Sequence, residues 1–265
     1  MKNLLLIKLG GSLITDKSKD YTARPAIIRQ LAKEIKLARK QYQGDLIIVH
    51  GSGSFAHTPA AKYHTKDGLI NKNSFRGLPI VADAAIQINR LVIQGFLQEK
   101  LPVVSFSPAS FILASGQKTK SAEVAPLVHA LDLGFLPVLY GDIIFDHKQG
   151  FCIYSAEKTI TLLSQKLSNK YSKINLIFCG DTDGVYDDQK KTLPTITPSS
   201  FSKLKKFITG SGHTDVTGGM IHKVTESIAL ARRGIQTLII SGHRKGELKR
   251  AILGQPTSGT IITSP

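Results

Sequence analysis

His50-Gly51-Ser52-Gly53-Ser54-Phe55-Ala56-His57, "HGSGSFAH", follows the short apolar run "DLIIV" at 45–49. A strand therefore delivers the chain into a glycine-rich loop. Two readings compete for that loop. Taken as Gly-x-Gly-x-x-Ala over 51–56, it is a loose dinucleotide fingerprint. Taken as a phosphate cradle, it offers backbone amides to an anion, with His57 at the far rim. The dinucleotide reading requires an acid about 20 positions on, at the end of the next strand, to hold a ribose. The next strand candidate, 101–106, runs into serine and proline, and Asp67 lies in a polar stretch with no strand. The cradle reading is the one that stands.

Outward from this loop, apolar runs alternate with helix-period segments almost throughout. Strands are expected at 3–9, 45–50, 101–106, 135–142, 173–181, 235–242 and 259–264. Between the first two, Pro25 suits a first helical turn, Ile28, Leu31, Ile35 and Ala38 share one face, and Gly44 closes the segment. Further helices are expected at 82–99, 122–133, 158–169 and 219–233. Continuous apolar strands joined by helices predict an α/β fold, a three-layer αβα sandwich around a mainly parallel central sheet. The polar stretch 186–216 reads as an insertion.

Composition narrows the function classes. The 265 residues suffice for a sizeable core, and 42% are hydrophobic. No apolar run approaches the ~20 residues that span a bilayer, so no membrane partner is expected. Lys8 interrupts the apolar start "MKNLLLIKLGGS", which reads as a first strand rather than a signal peptide. Two cysteines, Cys152 and Cys179, are too few for a disulfide framework or a metal site, and a cytoplasmic protein is expected. The +16 net charge suits anionic ligands. Its basic residues are scattered, however, and there is no tryptophan and no aromatic–basic alternation, so nucleic acid is not expected as a partner.

Ligands of open α/β sheets gather at the carboxyl ends of strands. Those ends carry "KLGGSLITDK", "HGSGSFAH", "GDTDGVYDD" and, ahead of a helix, "DVTGGMIHK". Gly-Lys occurs nowhere, which excludes a Walker-type loop. Paired Gly10-Gly11 can form an anion nest, with Lys8 pointing a charge into it; a lysine at a strand end can equally snorkel to water. Lys17 follows in a plainly polar loop. Asp181-Thr182-Asp183-Gly184 can be a carboxylate cluster or an ordinary Asx turn. Gly218 and Gly219 stand at an expected helix N-terminus, with Lys223 one turn inside it. The histidines at 64, 129, 147, 213, 222 and 243 have no partners at ligand spacing.

Taken in order, these motifs resemble those of the amino acid kinase superfamily, and within it those of the isopentenyl phosphate kinases. "LLIKLGGSLITDK", "HGSGSFAH", "PVLYGD", "GDTDGVY" and "DVTGGMIHK" span essentially the whole chain. The resemblance implies a single domain over 1–265, with an acceptor-binding half at about 1–170 and a nucleotide-binding half at about 171–265. It implies ATP and Mg²⁺ as cofactors, a small phosphate monoester as substrate, and a homodimer. Lys8, Gly10, Gly11 and Ser12 would cradle the ATP phosphates, with Gly53, Gly218 and Gly219 contributing amides. Lys223 would reach the β/γ-phosphates, and Lys17 would neutralise the transferring group. Ser52, Gly53 and His57 would bind the acceptor phosphate, while Asp181, Asp183 and Tyr186 would lie along the nucleotide. The implied reaction converts isopentenyl phosphate to its diphosphate. A sister kinase acting on another phosphate or phosphonate, such as fosfomycin, and a non-catalytic nucleotide sensor remain alternatives. One departure stands out: Ser155-Ala156-Glu157 replaces the usual Ser-Gly-Asp beside the acceptor, and Ala56 replaces a glycine. An isoprenoid acceptor would also need an apolar pocket, expected from 78–97.

Overall fold

Leu4 to Ile7 leave the first strand, β1 (Asn3–Leu9), with no polar face, so both of its sides must be covered. The computed structural model describes residues 1–202, 204 and 219–264. From β1 the chain passes through α1 (Gly11–Ile14), α2 (Pro25–Arg39), β2 (Gly44–His50), α3 (His57–Lys62) and α4 (Lys72–Gln98). Then come β3 (Val103–Ser105), β4 (Ile112–Ser115), β5 (Lys118–Ala122), α5 (Ala125–Asp132), β6 (Leu136–Tyr140), β7 (Asp142–Asp146) and β8 (Gly150–Tyr154). The remainder is α6 (Ala156–Lys166), β9 (Lys173–Gly180), β10 (Thr195–Ile196), α7 (Gly219–Ala231), β11 (Gln236–Ser241), α8 (Glu247–Ile252) and β12 (Thr260–Ile262).

Among the described residues the central sheet has eight strands in the order β10-β12-β11-β9-β1-β2-β6-β3. All its pairs are parallel except β11 with β12. The period-2 alternation of β1 divides the core. Leu5, Ile7 and Leu9 face α2, α4 and α8, meeting Ile28, Leu31, Ile88, Val92 and Leu248. Leu4 and Leu6 face α5, α6 and α7, meeting Leu127, Leu131, Ile160, Leu163 and Ile228. Each such buried Leu or Ile stabilises the sandwich by about 1.5–3 kcal/mol.

Several expected boundaries move. The helix expected from 82 begins ten residues earlier, despite Pro79, because Asn71 and Ser74 form a capping box. Asn71 Oδ1 accepts from the Ser74 amide at 2.9 Å, and Ser74 Oγ accepts from the Asn71 amide at 3.0 Å. This α4 is long and apolar enough to cross a bilayer by length and composition. Val81, Ala84, Ile88 and Phe96 are instead buried against the protein. The run 135–142 is two strands: the Gly141 amide donates to the His50 carbonyl and ends β6. β7 then joins a second sheet, β5-β4-β7-β8, which periodicity did not reveal. The helix expected from 158 starts at Ala156, capped by Ser155 Oγ accepting from the Lys158 amide at 3.2 Å. Within the stretch read as an insertion, Thr195 and Ile196 pair with β12; positions 203 and 205–218 lie outside the described residues.

Candidate active site

β1 lies between β2, which follows it, and β9, so the crevice at its carboxyl end is a topological switch point. Lys8 sits there, 6% exposed, on the face that meets α6. It does not snorkel to water. Its Nζ donates to Glu157 Oε1 at 2.5 Å and lies 6.0 Å from the centroid of the Phe178 ring. Glu157 occupies the first turn of α6, where the helix dipole also favours a negative charge. Burial works to raise its pKa, but the charge and hydrogen bond of Lys8, helped by Lys223, hold the carboxyl down at about 2. Three expected site residues, from β1, α6 and α7, thus meet in one electrostatic cluster.

The two glycine loops touch directly. A Cβ on Gly11 would come within 2.5 Å of the Gly53 amide nitrogen. Gly53 has φ +51°, and a Cβ there would lie 2.0 Å from Thr15 Oγ1. Thr15 staples the loops together: its hydroxyl donates to the Gly11 carbonyl at 2.7 Å and accepts from the Ser54 amide at 3.1 Å. Gly51 likewise bonds back to the Leu9 carbonyl at 3.0 Å. The Gly10 amide donates to the Cys179 carbonyl at 2.8 Å, so that N–H is engaged with β9 rather than open to an anion. The amides of Gly11 and Ser12 follow it at the first turn of α1.

On the expected acceptor side, Ser52 Oγ donates to the Gly141 carbonyl at 2.8 Å. Gly141 in turn packs close to the Ala156 amide, where its own Cβ would sit 3.3 Å away. Ala156 is buried, and the Ser155 hydroxyl is engaged in capping α6. His57 opens α3 and is exposed. Crowding by the protein lowers its pKa, Lys17 lowers it further, and Glu157 opposes them. Lys17 itself is exposed. Behind the loop, Leu78, Val81 and Ala82 of α4 pack with Ala56, Ala60, Ile143 and Ile153. Cavities of about 400 and 690 Å³ lie elsewhere, beside β4–β5 and at the amino ends of the central strands.

On the other side, Asp181 and Asp183 are each held by a side chain that the sequence did not single out. His243 Nε2 lies 3.1 Å from Asp181 Oδ1, and Arg244 donates to Asp183 Oδ2 at 2.7 Å. Tyr186 donates its hydroxyl to Asp183 Oδ1 at 2.6 Å. These bonds lower the Asp183 pKa. His243 therefore has a carboxylate partner, contrary to the expectation from spacing. The signal was there: "SGHRKG" follows a strand, as the other motifs do. Gly219 begins α7, whereas Gly218 lies outside the described residues. Among those residues, no group of three or more His, Cys, Asp or Glu gathers as a metal cage.

The Glu157 cluster makes a pH prediction. A carboxyl whose folded pKa is depressed stabilises the fold above its unfolded value, about 4.3, and loses that contribution as pH falls toward the folded one. Thermal melting should show stability declining between roughly pH 5 and 2, with a shallower decline in Glu157→Gln. Equal slopes would contradict a depressed pKa.

The amino acid kinase family model matches residues 3–241. An isopentenyl phosphate kinase of Methanothermobacter thermautotrophicus is 32% identical, the match covering 98% of this chain and 99% of that protein. Another, of Methanocaldococcus jannaschii, is 30% identical over 98% of each. A solved isopentenyl phosphate kinase structure superposes with a TM-score of 0.81 at 29% identity, covering 98% of this chain and all of that one. The match of the family model across the glycine loops and the β1/β9 crevice, with relatives aligned end to end, settles the lineage: the chain belongs to the amino acid kinase family.

Proposed function

We propose that the protein transfers the γ-phosphoryl group of ATP to the phosphate of isopentenyl phosphate, forming isopentenyl diphosphate. The observation that carries this reading is the cationic cluster at the crevice, Lys8 and Lys223 around Glu157, with His57 and Lys17 at its rim. A phosphate monoester already carries about −1.5 to −2 charge at neutral pH and needs no general base. What it needs is a partner held in line and repulsion between two anions cancelled.

Lys8 and Lys223 suit the donor phosphates, with the amides of Gly11, Ser12 and Gly219 supplying neutral donors. Glu157 holds Lys8 in place, so the lysine is fixed before any ligand arrives. Lys17 would sit over the transferring group, and Ser52, Gly53 and His57 would receive the acceptor phosphate. Asp181, Asp183 and Tyr186, steadied by His243 and Arg244, would flank the nucleotide in the half that begins near 171. ATP fits this set because it offers cations and amides rather than carboxylates. Mg²⁺ would be held chiefly by the ATP phosphates, as it is in sites with few protein ligands. The apolar residues behind Ala56 and His57, among them Leu78, Ala82 and Ile153, suit a short hydrocarbon tail. A cytoplasmic homodimer is the assembly we expect.

The test is an acceptor panel with MgATP, reading ADP release. Isopentenyl phosphate should give the highest kcat/KM, well above fosfomycin and short alkyl phosphates. A preference for fosfomycin would assign the sister activity. ATP binding without turnover on any acceptor would assign a sensor.

A further inference from the structure

Two histidines bracket the glycine loop. His57 stands at its exposed rim, whereas His50, the last residue of β2, is 0% exposed. His50 is in register with Leu9 of β1, so its side chain lies on the face of the sheet opposite Lys8. That face is otherwise aliphatic and aromatic, formed by Ile28, Ile88, Val92 and Phe96 among others. A leucine or phenylalanine would fill the space without the desolvation that an imidazole costs. The polar ring asks for a reason.

Its contacts supply one. Tyr140, in register on β6, stacks against the ring with centroids 5.8 Å apart. Nδ1 lies 3.1 Å from the Gly51 carbonyl oxygen, a group that can only accept. Nε2 lies 3.2 Å from Oδ1 of Asn89, a second buried polar group, on α4. Asn89 Nδ2 lies 2.6 Å from Ser105 Oγ. Burial pushes the imidazole pKa down against the pull of its two hydrogen bonds, so at neutral pH the ring holds one proton, on Nδ1. The two ends of the Asn89 amide are alike in shape, and for this tautomer they exchange. Its NH2 then donates to Nε2 and its oxygen accepts from the Ser105 hydroxyl, which pairs every group in the chain.

Holding that carbonyl acts one bond further on. The Gly51 amide is already tied to the Leu9 carbonyl and the His50 carbonyl to the Gly141 amide. With no Cβ, Gly51 leaves the next peptide free to turn, and the ring fixes it. Across a trans peptide the C=O and N–H point in opposite directions. The Ser52 N–H is therefore turned away from the ring and α4, toward the side of the sheet that carries Lys8. Neither it nor the Gly53 N–H donates to any group among the described residues. Consecutive amides at a residue with φ +51° make an anion nest. We propose that His50 is a positioning residue for phosphoryl transfer: through Nδ1 it fixes the 51–52 peptide, so that the Ser52 and Gly53 amides meet the acceptor phosphate already aligned, while Asn89 and Ser105 fix the tautomer of the ring. This rests on the reading of the crevice as a kinase site whose acceptor half includes Ser52 and Gly53.

The test compares His50→Asn, His50→Leu and His50→Gln. Asparagine puts an NH2 where Nδ1 was, leucine puts a methyl there, and glutamine reaches the place of Nε2 instead. The first two are alike in shape and leave the same space behind them, so a merely structural role moves both equally. The intact chain is titrated calorimetrically with isopentenyl phosphate and with inorganic phosphate, without nucleotide, and then assayed at steady state. His50→Asn should hold phosphate affinity and kcat/KM for the acceptor within about threefold of the wild type, while His50→Leu and His50→Gln lose at least about tenfold in both. The KM for ATP should change by less than about twofold in all three. Equal losses in His50→Asn and His50→Leu overturn the proposal, as do rescue by His50→Gln as full as by His50→Asn and a matching loss for ATP. Should His50→Leu not fold, the His50→Asn and His50→Gln pair decides it. A difference in phosphate affinity between these variants, with no wild-type turnover on any acceptor, would overturn the kinase reading alone. A wild type that binds neither phosphate overturns both.

Discussion

Lys8→Ala should lower kcat by on the order of a thousandfold while ATP still binds, because a cation that is already buried and fixed acts mainly where transition-state charge develops. The same change should destabilise the fold, since Glu157, 15% exposed at its side chain, loses its hydrogen-bonded cation and keeps only the charge of Lys223. Breaking a buried pair from one side costs about 3–5 kcal/mol, or roughly 6–20 °C in melting temperature here. The two effects separate in Lys8→Met/Glu157→Gln, which replaces both charges with groups of similar shape. The double variant should recover most of the melting temperature and none of the turnover. Turnover that returned together with stability would reduce Lys8 to a structural lysine.

His57→Ala should raise the KM for the acceptor about 10- to 150-fold, the worth of a hydrogen bond to a charged group, with the KM for ATP nearly unchanged. The pKa of His57 is lowered by its surroundings and by Lys17, with Glu157 opposing them, and in either protonation state the imidazole offers the acceptor an N–H donor. His57→Gln keeps such a donor and should restore a good part of the loss. Steady-state kinetics with each substrate varied in turn decides the matter. Equal loss for ATP and acceptor would move His57 out of the acceptor half.

Much of the fold was legible because its strongest signals are local. β1, β2 and β9 are continuous apolar runs, and the helices between them carry a clear 3.6 period. The second sheet was not legible. β5 reads "KTKSA", polar and largely exposed, and β4 has only four residues, so neither presents the alternation that marks a half-buried strand. Gly141 hid a change of sheet inside what looked like one strand. At the site, the glycine motifs were found, but their first duty was not: Gly11 and Gly53 are glycines because two backbones pass within contact distance. The pairing of Asp181 with His243 and of Asp183 with Arg244 joins segments some 60 residues apart, and no local pattern reports it. Glu157 is the converse case. It looked like a departure in the sequence, yet its extra methylene still brings the carboxylate onto Lys8.

The position of β1 in the sheet also bears on how the protein is made. One edge of β1 is completed by β2, which leaves the ribosome soon after it, but the other edge waits for β9, which begins at residue 173. Until then the emerging chain carries an open, strongly apolar strand edge, the kind that seeks the wrong neighbour. The crevice that gathers Lys8 with Asp181 has no second wall during that interval. The nascent first half should therefore be a client of chaperones and bind no nucleotide, and competence should arrive in one late step.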